Sequence, residues 1–265
     1  MAEPLISMKP GQVVLVTAGA GGIGRAIAER FLEQECRVHI CDISTSAIKE
    51  FLAANPGASA SETDVSELDQ VEQLFADIKS RYGQLDILVN NAGIAGPTAQ
   101  VEDIDPDDWH RTIAIDVNAS FYCTRLAVPL LKAQDGGSII NIASNAGLFG
   151  FPLRSPYAAA KWAMIGLTKT WAMELGPYNI RVNALCPGSV EGPRIDRVIA
   201  KDAEERGVTS EEIRALYASQ SSMRLFVGPE DVANMTLFLC SELGASISGQ
   251  AIGIDGHTEG LSNNL

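Results

Sequence analysis

The sequence has little cysteine that could staple it and little base that could hold a polyanion. Five cysteines (Cys36, Cys41, Cys123, Cys186 and Cys240) stand at wide spacings, with no C-x-x-C pair. An odd, scattered set excludes a disulfide framework or a zinc site as the organising feature. Four of the five sit in apolar runs, as buried small hydrophobes do. Such usage points to a reducing compartment, and no metal is expected. Lys and Arg total 20 against 33 Asp and Glu, a net charge of −13. A phosphate-backbone binder carries a basic face, so nucleic acid is not an expected partner. No apolar run reaches about 18 residues, so no membrane span is expected. The opening residues show no basic, apolar, small-residue leader pattern. Together these features lead to the expectation of a cytoplasmic protein.

What is present is an alternation of short β-branched runs and amphipathic stretches over 265 residues, a length that fits one large α/β domain spanning 1–265. Residues 1–11 read as a loose arm. Val13 to Thr17 (VVLVT) is wholly apolar until its last residue, as in a strand covered on both faces. TAGAGGIG follows, then RAIAERFLEQE with apolar residues at helical spacing. Gly19, Gly21 and Gly24 fit G-x-G-x-x-G between strand and helix. In that setting the glycines allow a pyrophosphate to approach the backbone, and the helix start offers free N–H groups and a positive dipole end. A second strand, Arg37 to Asp42, ends in a carboxylate 18 residues after Gly24. A carboxylate there accepts the hydroxyls of an adenosine ribose and repels a 2′-phosphate. No Lys or Arg lies within the turn, so NAD is favoured over NADP.

Further along, the pattern predicts a helix from Ser44 to Asn55, a strand from Ala58 to Thr63, and a helix from Ser66 to Tyr82 capped by Ser66. Asp64 and Val65, past the third strand, are placed to reach an adenine. Leu85 to Val89 is a fourth strand running into Asn90-Asn91-Ala92-Gly93. Amides after a buried strand either lock the sheet or line a cofactor. Pro106 to Gln134 reads as one long helix, with Asn118 as a poor mid-helix residue that hints at function or a kink. Ser138 to Ala143 is the fifth strand, with Ser144 just beyond its end. A helix from Ser155 to Tyr178 is opened by Ser155 and Pro156 and closed by Gly176-Pro177. Tyr157 and Lys161, four apart, share one of its faces. Ile180 to Leu185 is a sixth strand, residues 189–226 a charged excursion over the site, Pro229 to Ser241 a helix, and Gln250 to Asp255 the last strand. The alternation implies a parallel sheet with helices on both faces, a doubly wound fold.

These motifs together resemble the short-chain dehydrogenase/reductase family, near its 3-oxoacyl-reductase-like members. The glycine turn resembles the family's T-G-x-x-x-G-I-G, and Asn90 to Gly93 match its N-N-A-G. Asn118 matches the asparagine of its long fourth helix. Ser144 stands the common 13 residues before Tyr157, Tyr157 to Lys161 match Y-x-x-x-K, and Pro187-Gly188 match the turn after strand six. The resemblance implies a seven-stranded Rossmann-like sheet in order 3-2-1-4-5-6-7 and a homotetramer or homodimer. It also assigns Gly19, Gly21, Gly22, Ile23, Gly24, Asp42, Asp64, Val65, Asn91, Tyr157, Lys161, Pro187, Gly188 and Val190 to the cofactor. The sequence departs from the family at Ala18, where the first glycine usually stands, at Gly192, where many members have a threonine, and at His257-Thr258, where many have two glycines.

Removing a hydride from an alcohol carbon requires that the hydroxyl proton leave as well. The expected catalytic set is Tyr157 as acid and base, Lys161 beside it as the positive charge, Ser144 orienting the reacting oxygen, and Asn118 fixing a water in a proton relay. Asn145, Arg154 and Arg194 are the expected substrate contacts, with Arg197 also near. Inward arginines would suit an anionic substrate, whereas solvated ones balanced by Glu191, Asp196 and Glu204 would carry no such meaning. Phe149, Phe151, Trp162 and Tyr217 are read as an apolar wall or as plain core. Three functions fit: an NAD-dependent dehydrogenase of a small secondary alcohol, an NADPH-dependent 3-ketoacyl-thioester reductase, and a non-catalytic NAD sensor.

Overall fold

The computed structural model describes residue 6 and residues 8–261. Residues 1–5 and 7 of the expected arm, and residues 262–265, lie outside the described residues. Seven strands form one parallel sheet in the order β3-β2-β1-β4-β5-β6-β7. They are β1 (Val13–Thr17), β2 (Arg37–Asp42), β3 (Ser59–Glu62), β4 (Ile87–Asn90), β5 (Gly137–Ile142), β6 (Ile180–Pro187) and β7 (Ala251–Ile254). The order reverses between β1 and β4, and at such a switch point a crevice opens at the carboxyl ends of the strands.

Nine α-helices accompany the strands among the described residues: α1 (Gly22–Leu32), α2 (Thr45–Ala54), α3 (Leu68–Tyr82), α4 (Pro106–Ile113), α5 (Ala119–Lys132), α6 (Ser155–Leu175), α7 (Pro193–Arg206), α8 (Ser210–Ser219) and α9 (Pro229–Cys240). The pleat sorts them between faces. Val14, Val16 and Ile40 point to one side, where they meet Ile27 and Phe31 of α1, Phe51 of α2 and Val232 of α9. Val13, Leu15 and Leu88 point to the other, against Leu74 and Ile78 of α3, Ala127 of α5 and Trp171 of α6. Burying a side chain such as Phe31 or Ile78 contributes about 1.5–3 kcal/mol each. The sheet is therefore held from both faces.

Local chemistry moves several boundaries. The expected helix from Pro106 to Gln134 is broken into α4 and α5 by a π turn over Ala114–Asn118. Ser66 does not cap α3. Its N–H and Oγ–H both donate to Asp64 Oδ1, at 2.9 and 2.6 Å, and the helix starts after Glu67. Nor does Ser155 cap α6: it is the first helical residue, and Arg154 precedes it without a side-chain cap. Ser44 does cap α2, accepting from the Ala47 N–H at 3.3 Å. The excursion folds as α7 and α8, which bury Ile199, Ala203, Ile213 and Tyr217 against each other. Asp202 of α7 ties the pair together, taking Arg206 Nε at 2.6 Å and the Tyr217 hydroxyl at 3.0 Å.

Candidate active site

The glycine turn is braced from two directions. Asn91 donates its side-chain amide to Thr17 O at 2.9 Å and Ala18 O at 3.1 Å. Asp42 accepts from the Ala20 N–H at 3.2 Å and the Ser44 N–H at 3.0 Å. Asn90 instead locks the sheet, reaching Asn141 Oδ1 at 2.8 Å and Thr124 Oγ1 at 3.1 Å. The two amides thus divide the roles left open by the sequence. Gly24 is held so tightly that a Cβ there would lie 2.3 Å from Ala18 O. Ala18 itself takes the left-handed conformation, φ +48°. Where the family usually has its first glycine, an alanine thus holds a conformation that favours glycine.

No side chain caps α1, and Gly21 and Gly22 face open space. An uncapped helix start with room in front of it fits a dinucleotide pyrophosphate. Gly21, Gly22, Ile23, Asn91, Pro187, Gly188 and Val190 line one cavity of about 420 Å³ together with Ser144, Asn145, Arg154, Tyr157, Lys161 and Arg194. Gly19, Gly24, Asp42, Asp64 and Val65 are not in its wall. Gly19 and Gly24 pack the turn, and Val65 is buried beside α3. Gly192, also in the wall, has φ +133°, so a threonine there would be strained, which accounts for that departure.

Ser144 lies two residues past the end of β5 and is buried. Its Oγ accepts from the Ala146 N–H at 3.1 Å and donates to Asn145 Oδ1 at 3.2 Å. Asn145 Nδ2 donates in turn to Thr258 Oγ1 at 3.1 Å, so the residue after His257 serves the site from the far end of the chain. The following turn packs directly on α6, since a Cβ on Gly147 would lie 2.6 Å from Lys161 O. That contact sets Ser144 beside the first turns of α6, where Tyr157 is half-buried and Lys161 is 4% exposed. Lys161 Nζ is 5.4 Å from the centre of the Tyr157 ring and donates to Ile142 O at 3.3 Å.

Asn118 does not come to Lys161. Its side chain is exposed at the end of the π turn and lies outside the cavity wall. The group beside Lys161 is Asp116, whose side chain is fully buried, with Oδ2 3.2 Å from Nζ. Asp116 Oδ1 accepts from the Ile94 N–H at 2.7 Å. A π turn takes one extra residue per turn and so rotates the helix face. It turns Asp116 inward while the apolar stripe of α5 stays on the sheet. The π turn was foreshadowed by the mid-helix asparagine, but no pattern singled out Asp116.

Of the expected apolar wall, Phe151 and Tyr217 line the cavity. Trp162 is 51% exposed, with its indole N–H on Phe149 O at 3.4 Å, and neither residue lines it. Arg154 is 3% exposed, whereas Arg194 and Arg197 stand exposed at the rim. Among the described residues no helix is long and apolar enough to cross a membrane, and no cluster of His, Cys, Asp and Glu could hold a metal ion.

A glycine turn at the switch point of a parallel sheet, with serine, tyrosine and lysine on one cavity beyond it, defines a nucleotide-binding oxidoreductase. A family model described as enoyl-(acyl carrier protein) reductase matches residues 17–258. A 3-oxoacyl-[acyl-carrier-protein] reductase of Thermotoga maritima is 36% identical over 250 residues, 93% of this chain and 97% of that protein. An NAD⁺-bound xylitol dehydrogenase superposes with a TM-score of 0.89 at 29% identity, covering 92% of this chain and 98% of the other. An actinorhodin polyketide ketoreductase with NADPH gives 0.90 at 29% identity, covering 98% and 100%. The chain belongs to the short-chain dehydrogenase/reductase family.

Proposed function

We propose that the chain, as one catalytic domain over 1–265, is an NAD-dependent oxidoreductase acting between a small secondary alcohol and its ketone. The carrying observation is the shared wall of the 420 Å³ cavity, on which Ser144, Tyr157 and Lys161 face the glycine turn. When bound, a nicotinamide supplies the hydride acceptor or donor. Tyr157 takes the hydroxyl proton in oxidation and returns it in reduction. Lys161 places its ammonium 5.4 Å from the centre of the Tyr157 ring, on the same cavity wall. Asp116 holds that ammonium from behind, and the Ile142 carbonyl holds it from the sheet. Ser144 orients the reacting oxygen, its own hydroxyl positioned by the Ala146 N–H and Asn145. Asn118, exposed at the end of the π turn, joins the relay by fixing a water.

NAD is favoured by Asp42 at the end of β2, where a second negative group would be repelled. Its two backbone bonds hold the carboxylate in place while lone pairs remain for ribose hydroxyls. Asp64 and Val65 lie on the adenine side of the same edge. The five buried, free thiols suit a reducing, cytoplasmic setting. The Thermotoga relative favours a second reading, an NADPH-dependent 3-ketoacyl-thioester reductase. The test is a titration with NADH and NADPH, followed by turnover assays with Tyr157→Phe. Tighter NADH binding is expected, by about tenfold or more, and Tyr157→Phe is expected to bind cofactor yet lose turnover about 10³-fold or more. NADPH preference with thioester turnover supports the second reading. Cofactor binding without turnover in the native protein supports a sensor.

A further inference from the structure

Two cavities meet at Arg154. The cavity already described shares Gly93, Ala95, Arg154, Arg194, Arg197 and Val198 with a second of about 280 Å³. Lys201 joins the second, whose lining holds four basic residues and no acidic one, in a chain of net charge −13. It includes no residue of the glycine turn and none of β2, so it is separate from the parts that receive the cofactor's phosphates.

Arg154 differs in kind from the other three. It is buried, and burial lowers its pKa from the ordinary 12.5, with the nearby Arg194 charge acting the same way. Nη2 donates to Ala95 O at 2.6 Å, but Nε has no hydrogen-bond partner. Asp202, the carboxylate whose field reaches it, is already held by Arg206 and Tyr217. Among the described residues no carboxylate pairs with Arg154, Arg194, Arg197 or Lys201 at ion-pair distance. A buried guanidinium with a spare donor and no counter-ion is costly unless a ligand completes it. Arg154 Cζ lies 5.4 Å from the centre of the Tyr157 ring, so an anion paired with it sits close to the phenol.

We propose that Arg154, with Arg194 and Arg197 at the rim, is an oxyanion subsite, and that the substrate is a short hydroxy acid or its oxo form. Its carboxylate, sulfonate or phosphate group stands within a few bonds of the carbon that reacts at Tyr157. The proposal rests on the catalytic reading above and deepens it. It sets the substrate apart from a carrier-bound thioester, which has no such anion beside its keto group.

The test uses the full chain with NAD and three probes, 3-hydroxybutanoate, 2-hydroxypropane-1-sulfonate and 1-phosphopropan-2-ol, against the neutral methyl 3-hydroxybutanoate. At least one acid is expected to exceed the ester in kcat/KM by about 30-fold, mainly through KM. The loss caused by Arg154→Gln is expected to be about 30-fold greater on that acid than on the ester. Arg154→Lys should recover part of it, because the charge returns without the fork. The exposed pair Arg194→Ala with Arg197→Ala should raise KM for the acid by a smaller factor. Calorimetry with malonate and NADH reads the subsite without turnover: binding should persist in Tyr157→Phe and vanish in Arg154→Gln. Ester preferred over every acid, or malonate binding unchanged by Arg154→Gln, overturns the subsite. Malonate binding that depends on Arg154, with no alcohol oxidised, keeps the subsite and overturns the catalytic reading alone.

Discussion

Lys161 is held by a carboxylate on one side and a sheet carbonyl on the other, and Asp116 is the partner whose removal has the larger consequence. Their side chains are 5% and 0% exposed, so the pair lies in a medium that screens little. Deleting one member of such a pair leaves the other charge buried and alone, at a cost of about 3–5 kcal/mol. Asp116→Asn is therefore expected to destabilise by that amount in a denaturant titration. Adding Lys161→Met should restore part of the loss, a coupling of roughly 1–3 kcal/mol. An additive double-mutant cycle would mean that the pair does not form. Ser144, Tyr157 and Lys161 were legible because their spacing, 13 and then four residues, matches the pattern of the short-chain dehydrogenase/reductase family. Asp116 and the unpaired Nε of Arg154 were not, since only three-dimensional neighbours show what a carboxylate or guanidinium lacks. Arg154 was singled out from its place before Tyr157, and the structure shows it buried.

Among the elements, the β2–β3 edge carries a polar lock that no pattern announced. His39 lies within β2, 1% exposed, its ring nitrogens 2.7 and 3.0 Å from the hydroxyls of Ser59 and Ser61 on β3. Burial pushes its imidazole down from the ordinary 6.5 to about 4. The unfolded chain then binds the proton more readily than the folded one between those values. The stabilising contribution is complete above about pH 6.5 and is lost as pH falls toward 4, roughly 3 kcal/mol in all. Melting temperatures measured from pH 7 to pH 4 should fall less steeply for His39→Gln than for the native protein. Parallel curves would remove His39 as the cause. The serines of β3 face this histidine rather than an apolar core. The π turn between α4 and α5 is a second element-scale device, inserted where a continuous helix was expected.

For the whole molecule, four of the ten large apolar side chains exposed among the described residues lie on three successive helices, α4, α5 and α6. Trp109 of α4 is 36% exposed, Phe121 of α5 47%, and Trp162 and Met173 of α6 51% and 81%. Apolar side chains left exposed on neighbouring helices suit a surface that pairs with another chain, and symmetric self-association is the commonest outcome. Light scattering on the native protein is expected to give a dimer or tetramer, and Phe121→Asp to lower the mass. A monomer at micromolar concentration would count against assembly through these helices. The small residues of α6, Ala158, Ala159 and Ala163, leave room for close approach on the same element.

By itself, the sequence determined the order of strands and helices, the glycine turn and the Ser144, Tyr157 and Lys161 spacing. Those are local or periodic properties, dictated by which residues a buried strand, a tight turn or a helix face can accept. Tertiary structure alone decided that Asn90 locks the sheet while Asn91 braces the turn, and that Asp116 replaces Asn118 beside Lys161. It also decided that Arg154 is buried without a counter-ion while its neighbours stand at the rim. Each of those outcomes depends on which donors and charges lie nearby in space after more than 20 intervening residues of chain, as for Asp116 and Lys161. The fate of a buried polar group is set by its neighbours in space, and its neighbours in sequence do not reveal it.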